Sequence, residues 1–386
     1  MIRVLQLITG LAIGEQVGGA ELFAVQLARH LDRKRFEPAI FGLWQYDSAS
    51  EQAWVSTLRQ EGIETHFLAN PTGHLLSDLR HAFSALWSLI GEFEPHIINS
   101  HSERTDLFNA LTHLFHPVDH RSVRTMHTNE QWQDRPWLGA LMLHMVFPLL
   151  FNSEVAISEA TRLVLDRRPA ARLLNRASVL CYNGIDAALL SYSPHPMADA
   201  LPPYDTPNPI RIGIVGRLTE QKGHRDLLQA MKLVHQVRSA HLLVIGSGPL
   251  CVPLQAYAKQ LGIAEFVHFL GSRHDVLDIL SLLDLFVSSS LWEGFPTVLL
   301  EAMTMGVPVI ATNVSGSREL VKTGVTGILV PPRSPNHLAE AILRLLNNPV
   351  LARSFAANAR SHITQFTIQN TASHYEKLYQ LIQNKQ

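Results

Sequence analysis

The stretch Ile210-Arg-Ile-Gly-Ile-Val215-Gly216-Arg217-Leu-Thr-Glu-Gln-Lys222-Gly223 decides the fold. An apolar run of strand length ends at a glycine, and a loop holding two cations five residues apart follows it. Such a strand–loop unit opens a domain, because the chain before it breaks its pattern. Residues Ser191 to Pro209 contain six prolines and little apolar periodicity, which reads as a linker. Beyond Val215, strand-length runs recur at His241–Ile245, Phe266–Leu270, Asp284–Val287, Pro308–Ala311 and Gly327–Val330, with helix-period segments between them. Before the linker the same alternation joins the strands Ile2–Ile8, Ala39–Leu43, His96–Asn99 and Ser122–Met126 to the helices Ala20–Leu31, Leu75–Gly91 and Thr105–Phe115. Strands alternating with helices predict parallel sheets covered on both faces. The reading is two α/β, Rossmann-like, doubly wound domains, residues 1–190 and 210–367, joined by the linker 191–209. The amphipathic segment Ile368–Ile382 is expected to carry residues 368–386 back to the first domain. Ligands of such sheets bind at the carboxyl ends of the strands, and two such edges facing each other would make one cleft.

Bulk properties narrow the function. With 386 residues and 46% hydrophobic side chains, the chain can build two cores. Its formal net charge of -1 gives no basic field for nucleic acid. Two cysteines, Cys181 and Cys251, exclude a disulfide framework and fit a reducing cytoplasm. Gln6 and Thr9 interrupt the N-terminal apolar run, so it reads as a buried strand rather than a signal peptide. Pro136 to Phe151 is the most apolar stretch. It is too short to span a bilayer and reads as a core helix or as one resting on a membrane surface.

Four motifs carry chemistry. In Glu293-Gly294-Phe295-Pro296-Thr297-Val-Leu-Leu-Glu301 a glycine-bearing loop leads into a helix that Pro296 is placed to open. A helix mouth offers free amides and a positive dipole end to a phosphate. Two carboxylates beside a phosphate are tolerable only if hydroxyls occupy them, which points to a sugar and a ribose. In Gly216-Arg217…Lys222 the glycine permits close backbone approach, and the two cations can grip phosphate oxygens. Gly18-Gly19-Ala20-Glu21 closes the loop after the first strand and starts a helix, where Glu21 suits the dipole. His127 ends the strand Ser122–Met126, and His101 ends the strand before it.

The first motif, with seven residues between its glutamates, resembles the signature of glycosyltransferase family four, with the GT-B fold. Gly-Arg…Lys-Gly and Gly-Gly-Ala-Glu resemble that family's other loops. Ala156-Ile-Ser158, Tyr182-Asn183-Gly184 and Gly246-Ser247-Gly248-Pro249 fall in the family's order, so the resemblance spans nearly the whole chain. It implies that Arg217 and Lys222 hold a nucleotide diphosphate and that Glu301 meets the ribose. Gly18, Gly19, Gly216, Gly294, Phe295, Pro296 and Thr297 would line the donor site, with Arg273 beside the base. His127 and Glu293 would stand at the transferred sugar, so the catalytic set is His127, Arg217, Lys222 and Glu293. No Asp-x-Asp pair occurs, so metal-independent transfer without a cofactor is expected. The implied activity is retaining transfer from a nucleotide-sugar donor to a glycan, lipid-linked or small acceptor, in envelope or exopolysaccharide synthesis. A cytoplasmic site with weak peripheral membrane contact fits. The alternatives are a nucleotide-sugar epimerase and a binding protein without chemistry. A dehydrogenase is disfavoured, because Gly246-Ser-Gly248 runs into Pro249 and lacks a third glycine in register.

Overall fold

The structure, a computed structural model, describes residues 1–14, 17–128, 132, 135–195 and 209–384. The chain forms two compact units, Met1–Asn183 with Ile368–Gln386, and Gly184–Thr367. The first boundary thus falls at Asn183/Gly184 rather than at residue 190. The cause is local: Ile185 bridges Thr367, and both the Tyr192 hydroxyl and the His195 N–H donate to Asp278 Oδ1 (2.9 and 2.8 Å). Of the expected linker, residues 196–208 lie outside the described residues.

Among the described residues, unit 1 holds β1 (Ile2–Ile8), β2 (Phe36–Trp44), β3 (Glu64–Ala69), β4 (Ile97–Ser100), β5 (Arg121–Met126), β6 (Ser153–Ala156) and β7 (Val179–Leu180). They form one parallel sheet in the order β3-β2-β1-β4-β5-β6-β7. The inner strands are buried along most of their length, which explains the mainly apolar runs of β1 and β2, while β5 carries Ser122, Arg124 and Thr125 into the interior. The edge strand β3 is not among the strands singled out by pattern. Glu64, Thr65 and His66 make up its first half, the first and third bonded to each other (2.6 Å), so it lacks an apolar run. The connections run through helices at Gly19–His30, Ala49–Gln60, Leu75–Phe93 and Glu103–Phe115, among others.

Unit 2 holds β8 (Arg211–Val215), β9 (His241–Ile245), β10 (Val267–Gly271), β11 (Leu285–Ser288), β12 (Val309–Thr312) and β13 (Ile328–Val330). These are parallel in the order β10-β9-β8-β11-β12-β13. In each sheet the order reverses once, between β1 and β4 and between β8 and β11. Loops leaving neighbouring strands at such a reversal run to opposite faces and leave a crevice at the carboxyl edge.

The helix Ile368–Asn384 belongs to unit 1, as its amphipathic period predicts. Its Tyr375, Leu378, Tyr379 and Ile382 pack with Phe23, Leu27, Phe36 and Val123. The buried Tyr379 hydroxyl accepts hydrogen bonds from Asn99 Nδ2 (3.0 Å) and Gln6 Nε2 (3.4 Å). Cys181 lies in the same core, its thiol pushed up to about 12 by burial. Tyr379→Ala therefore removes a buried ring and takes the acceptor from the Gln6 amide and from one of the two Asn99 N–H bonds. It should cost about 3–5 kcal/mol in denaturant unfolding, against about 1 kcal/mol for Tyr379→Phe. Equal midpoints for the alanine variant and the parent would show that this helix does not complete the core.

Candidate functional site

In unit 2 the loops that follow β8 and β11 meet at the sheet reversal. Gly223 makes this meeting possible. Its φ of 62° lies in the left-handed region, and a Cβ there would stand 2.1 Å from the Ser289 carbonyl oxygen. The two loops are then stitched together. Leu291 N–H donates to Gln221 O (2.7 Å), Gln221 Nε2 to Trp292 O (3.1 Å), and Ser289 Oγ to Lys222 O (2.8 Å). The stitching brings Lys222 Nζ to 2.6 Å from Glu293 Oε1, an ion pair largely shielded from water. Ser290 Oγ donates to the same oxygen (2.6 Å). Glu293 is therefore not the free loop carboxylate that its sequence suggests. One oxygen is committed to Lys222 and Ser290, and Oε2 has no partner among the described residues. The Lys222 stem lies over Gly216, where an added Cβ would sit 3.2 Å from Lys222 Cε.

Gly294 is held from behind. Ser315 Oγ donates to Glu293 O (2.5 Å), and a Cβ on Gly316 would fall 2.3 Å from Gly294 O. Phe295 is buried, its ring 5.7 Å from that of Phe366, so its side chain anchors the loop rather than facing a ligand. Pro296 is the cap and not the first helical residue: the helix runs Thr297–Thr304, and Pro296 has ψ 98°. The first-turn amides at Thr297 still open toward the loop, because a helix start leaves its N–H groups without intrahelical partners. Glu301 stands one turn in, half-buried, with no side-chain partner among the described residues. Burial pushes its carboxyl up to about 7.

Arg217 is exposed and has no ion-pair partner among the described residues. Its loop is shaped by Gly246 and Gly248, where an added Cβ would come within 2.0 Å of Gly216 O and 2.6 Å of Leu218 O. The Gly246-Ser-Gly248 motif thus serves close loop packing. Arg273 is not free to use its fork: Asp275 takes Nε (2.8 Å) and Nη2 (2.5 Å). Ser272 Oγ, beside it, donates to Ser247 Oγ (2.9 Å) and ties the loops after β10 and β9 together.

In unit 1 the reversal between β1 and β4 is flanked by Gly18 and His101. Gly18 precedes the helix Gly19–His30, and its N–H donates to Glu21 Oε2 (3.1 Å). Glu21 thereby serves the helix start. Neither Gly18 nor Gly19 has a positive φ, and an added Cβ would meet nothing within 4 Å at either. The protein itself therefore gives no packing reason for glycine there, and the open space suits a ligand's close approach. His127 follows β5, and its Nε2 lies 3.0 Å from His101 Nδ1. His101 Nε2 lies 2.8 Å from Gln6 Oε1, which also accepts from Asn99 Nδ2 (3.2 Å). Burial holds His127 neutral, its pKa near 3, and pushes that of His101 well below its ordinary value, with His127 adding to the effect. The direction of the chain follows. Gln6 Oε1 can only accept, so His101 Nε2–H donates, His101 Nδ1 accepts, and His127 Nε2–H donates. The lone pair on His127 Nδ1 is left to accept from a hydroxyl.

The structure thus joins Gly216, Lys222, Glu293 and Gly294 with the helix start at Thr297 in one place. It sets Arg217 at the edge of the same loop, and it locates Gly18, Gly19 and His127 in the other unit. Sequence reasoning missed Ser290, Ser315 and Gly316. A glycine opening the helix Ser315–Leu320 next to a serine was the available signal. It also weighed His101 alone, without Gln6. Among the described residues, no group of three or more His, Cys, Asp or Glu is arranged to hold a metal ion.

Two family models divide the chain. "Glycosyltransferase Family 4" matches residues 17–189 and "Glycosyl transferases group 1" matches 204–362. Curated relatives match over shorter segments. N-acetyl-alpha-D-glucosaminyl L-malate synthase of Bacillus anthracis is 35% identical over 167 residues, 43% of this chain and 44% of that protein. UDP-Gal:alpha-D-GlcNAc-diphosphoundecaprenol alpha-1,3-galactosyltransferase of Escherichia coli is 30% identical over 171 residues, with the same shares. The chain therefore spans under half the length of the curated relatives it matches. Among solved structures, Anabaena HepE in complex with UDP and glucose superposes with a TM-score of 0.81 at 20% identity, over 99% of this chain and 100% of that one. Sucrose-phosphate synthase of Thermosynechococcus elongatus gives 0.79 at 22% identity, over 98% and 99%. With motifs, sheet orders and both halves of the family signature in agreement, the chain belongs to the group 1 glycosyltransferases of family four, built on the GT-B fold.

Proposed function

We propose that this protein transfers a glycosyl group from a nucleoside-diphosphate sugar to a hydroxyl of a glycan or lipid-linked acceptor. One observation carries the reading: the Lys222 ammonium is fixed beside the glycine loop that opens the helix at Thr297. An ammonium has three donors. Glu293 takes one, and the others are left for the oxygens of a diphosphate. Arg217, unengaged, is free to close on the same group. Together with the helix dipole these cations would stabilise the departing nucleoside diphosphate as its charge develops. The Glu301 carboxyl, without a partner, is suited to the two hydroxyls of a ribose. Glu293 Oε2 and His127 Nδ1 are acceptors for sugar hydroxyls. HepE was solved with UDP and glucose, and the Escherichia coli relative is named for a UDP-linked donor and a diphosphoundecaprenol-linked acceptor, which supports this substrate class.

The transfer we propose retains the anomeric configuration. The bond between the sugar C1 and the phosphate oxygen breaks while the acceptor oxygen bonds C1 from the same face. The acceptor proton passes to the leaving phosphate. This avoids a protein nucleophile, in keeping with Glu21 being turned back onto the Gly18 N–H. We also propose that no metal is required, since Lys222, Arg217 and the helix mouth supply the positive charge. Activity in excess chelator equal to that without it is the expected result; loss restored by manganese would refute it.

Arg217→Ala and Lys222→Ala should each lower kcat by about two to three orders of magnitude. The melting temperature of Arg217→Ala should stay close to the parent's, whereas Lys222→Ala leaves the shielded Glu293 carboxylate unpaired and should melt somewhat lower. Product of α-linkage from an α-linked donor should persist at the residual rate of both. Near-parental turnover in both variants, inverted product, or isomerised sugar from donor alone would each refute the assignment.

Glu301 gives a pH-dependent test. Its carboxyl titrates near 7 when folded against an ordinary 4.5. The folded state thus binds more protons than the unfolded state between those values, so stability falls as pH rises from about 4.5 through about 7. Glu301→Gln removes this loss. The variant should melt a few degrees above the parent at pH 8 and level with it near pH 4.5, while binding nucleoside diphosphate at least about tenfold more weakly at pH 8. Unchanged nucleotide affinity would remove Glu301 from the ribose.

A further inference from the structure

The helical segment Pro136–Leu150, whose turn widens over Met142–Val146, is apolar on two faces. Inward, Met142, Phe147, Val146 and Leu150 pack with Ala110 and Phe151 in a local core. Outward, Trp137, Leu141, Met145 and Leu149 recur at four-residue steps and are 72%, 48%, 50% and 55% exposed. The neighbouring helix Pro169–Leu173 adds Leu173, 88% exposed. From Pro136 to Ser153 the sequence holds no charged residue at all. A water-facing helix face is ordinarily polar, and a contiguous apolar patch on a surface marks a site of contact.

Arginines border the patch. Arg135 precedes the segment, and the exposed Arg172 stands beside Leu173. The exposed Arg176 donates through Nη1 to Pro148 O (2.8 Å) and Phe151 O (2.7 Å), which places its charge at the segment's C-terminal end. We infer that this face docks on an anionic lipid surface, with its apolar side chains in the headgroup–acyl boundary and the arginines on lipid phosphates. An in-plane helix with an indole at one end and cations at its borders has the composition that such a boundary selects. Among the described residues no helix is long and apolar enough to cross a membrane. A second copy is a poorer occupant. A two-fold contact would set the arginine borders of two copies against each other, and no carboxylate between Arg135 and Ser153 would answer them.

The inference rests on the apolar face alone and is independent of sugar transfer. The test is sedimentation of the full chain, without nucleotide, on vesicles of phosphatidylglycerol and phosphatidylcholine in equal parts. Binding that weakens with added salt and on vesicles of phosphatidylcholine alone is expected. A variant with Leu141→Glu and Met145→Glu should partition about tenfold or more weakly, with unchanged circular dichroism and melting temperature, because both side chains already face solvent. No binding to the anionic vesicles, or equal binding by the variant, would overturn the proposal. So would a parental dimer in sedimentation equilibrium that these substitutions dissociate, since a second copy would then be the occupant. Loss of transferase activity in a separate assay leaves this readout untouched.

Discussion

The approach of Gly223 to the Ser289 carbonyl is the constraint on which the second unit's site depends. Two loops leave adjacent strands at the point where the sheet order reverses, and they would ordinarily diverge. A residue without a side chain, in a left-handed conformation, lets one backbone pass over the other. The contacts between these two loops accompany that crossing: the Gln221 and Ser289 stitches and the Lys222–Glu293 pair. Gly316, at the helix start after β12, separately backs the glycine loop. The cation is thus held by backbone geometry before any ligand arrives. Electrostatic stabilisation of a leaving group works best when the charges need no rearrangement.

Unit 1 achieves a comparable fixity through side chains. Gln6, Asn99 and Thr125 sit on three adjacent strands and are buried. Thr125 Oγ1 donates to Asn99 Oδ1 (3.1 Å) and lies 2.8 Å from the Tyr375 hydroxyl, while Asn99 and Gln6 both reach Tyr379. A fully satisfied buried network has one arrangement, and any rotation leaves a polar atom without a partner. That single arrangement orients the Gln6 amide, which orients His101, which sets the tautomer of His127.

Much of this was legible in the sequence because parallel strands and helices have different periods. β1, β9 and the helix ending the chain were read to within a residue or two. The motif loops were legible as well, since Gly216, Lys222, Gly223, Glu293 and Gly294 are close in sequence to the strands that aim them. What escaped reading was contact across long separations. Nothing in the pattern pairs Lys222 with Glu293, or His101 with Gln6, because the strand order is not written locally. The edge strand β3 was hidden by its own polar residues. The boundary at Asn183 was hidden because the prolines that read as a linker lie downstream of the point where the chain changes partners.

The interleaving of the two units in the chain has a consequence for how the protein comes into being. Residues 184–367 form a continuous unit, whereas the other unit draws its core from both sides of it. During synthesis, the segment that emerges first cannot bury Phe23, Leu27 and Phe36 against Tyr375 and Tyr379 until the ribosome has passed residue 367. Domains usually complete themselves in the order they are made. Here the later one can finish while the earlier one waits with an open flank, a period in which chaperone capture is the natural safeguard.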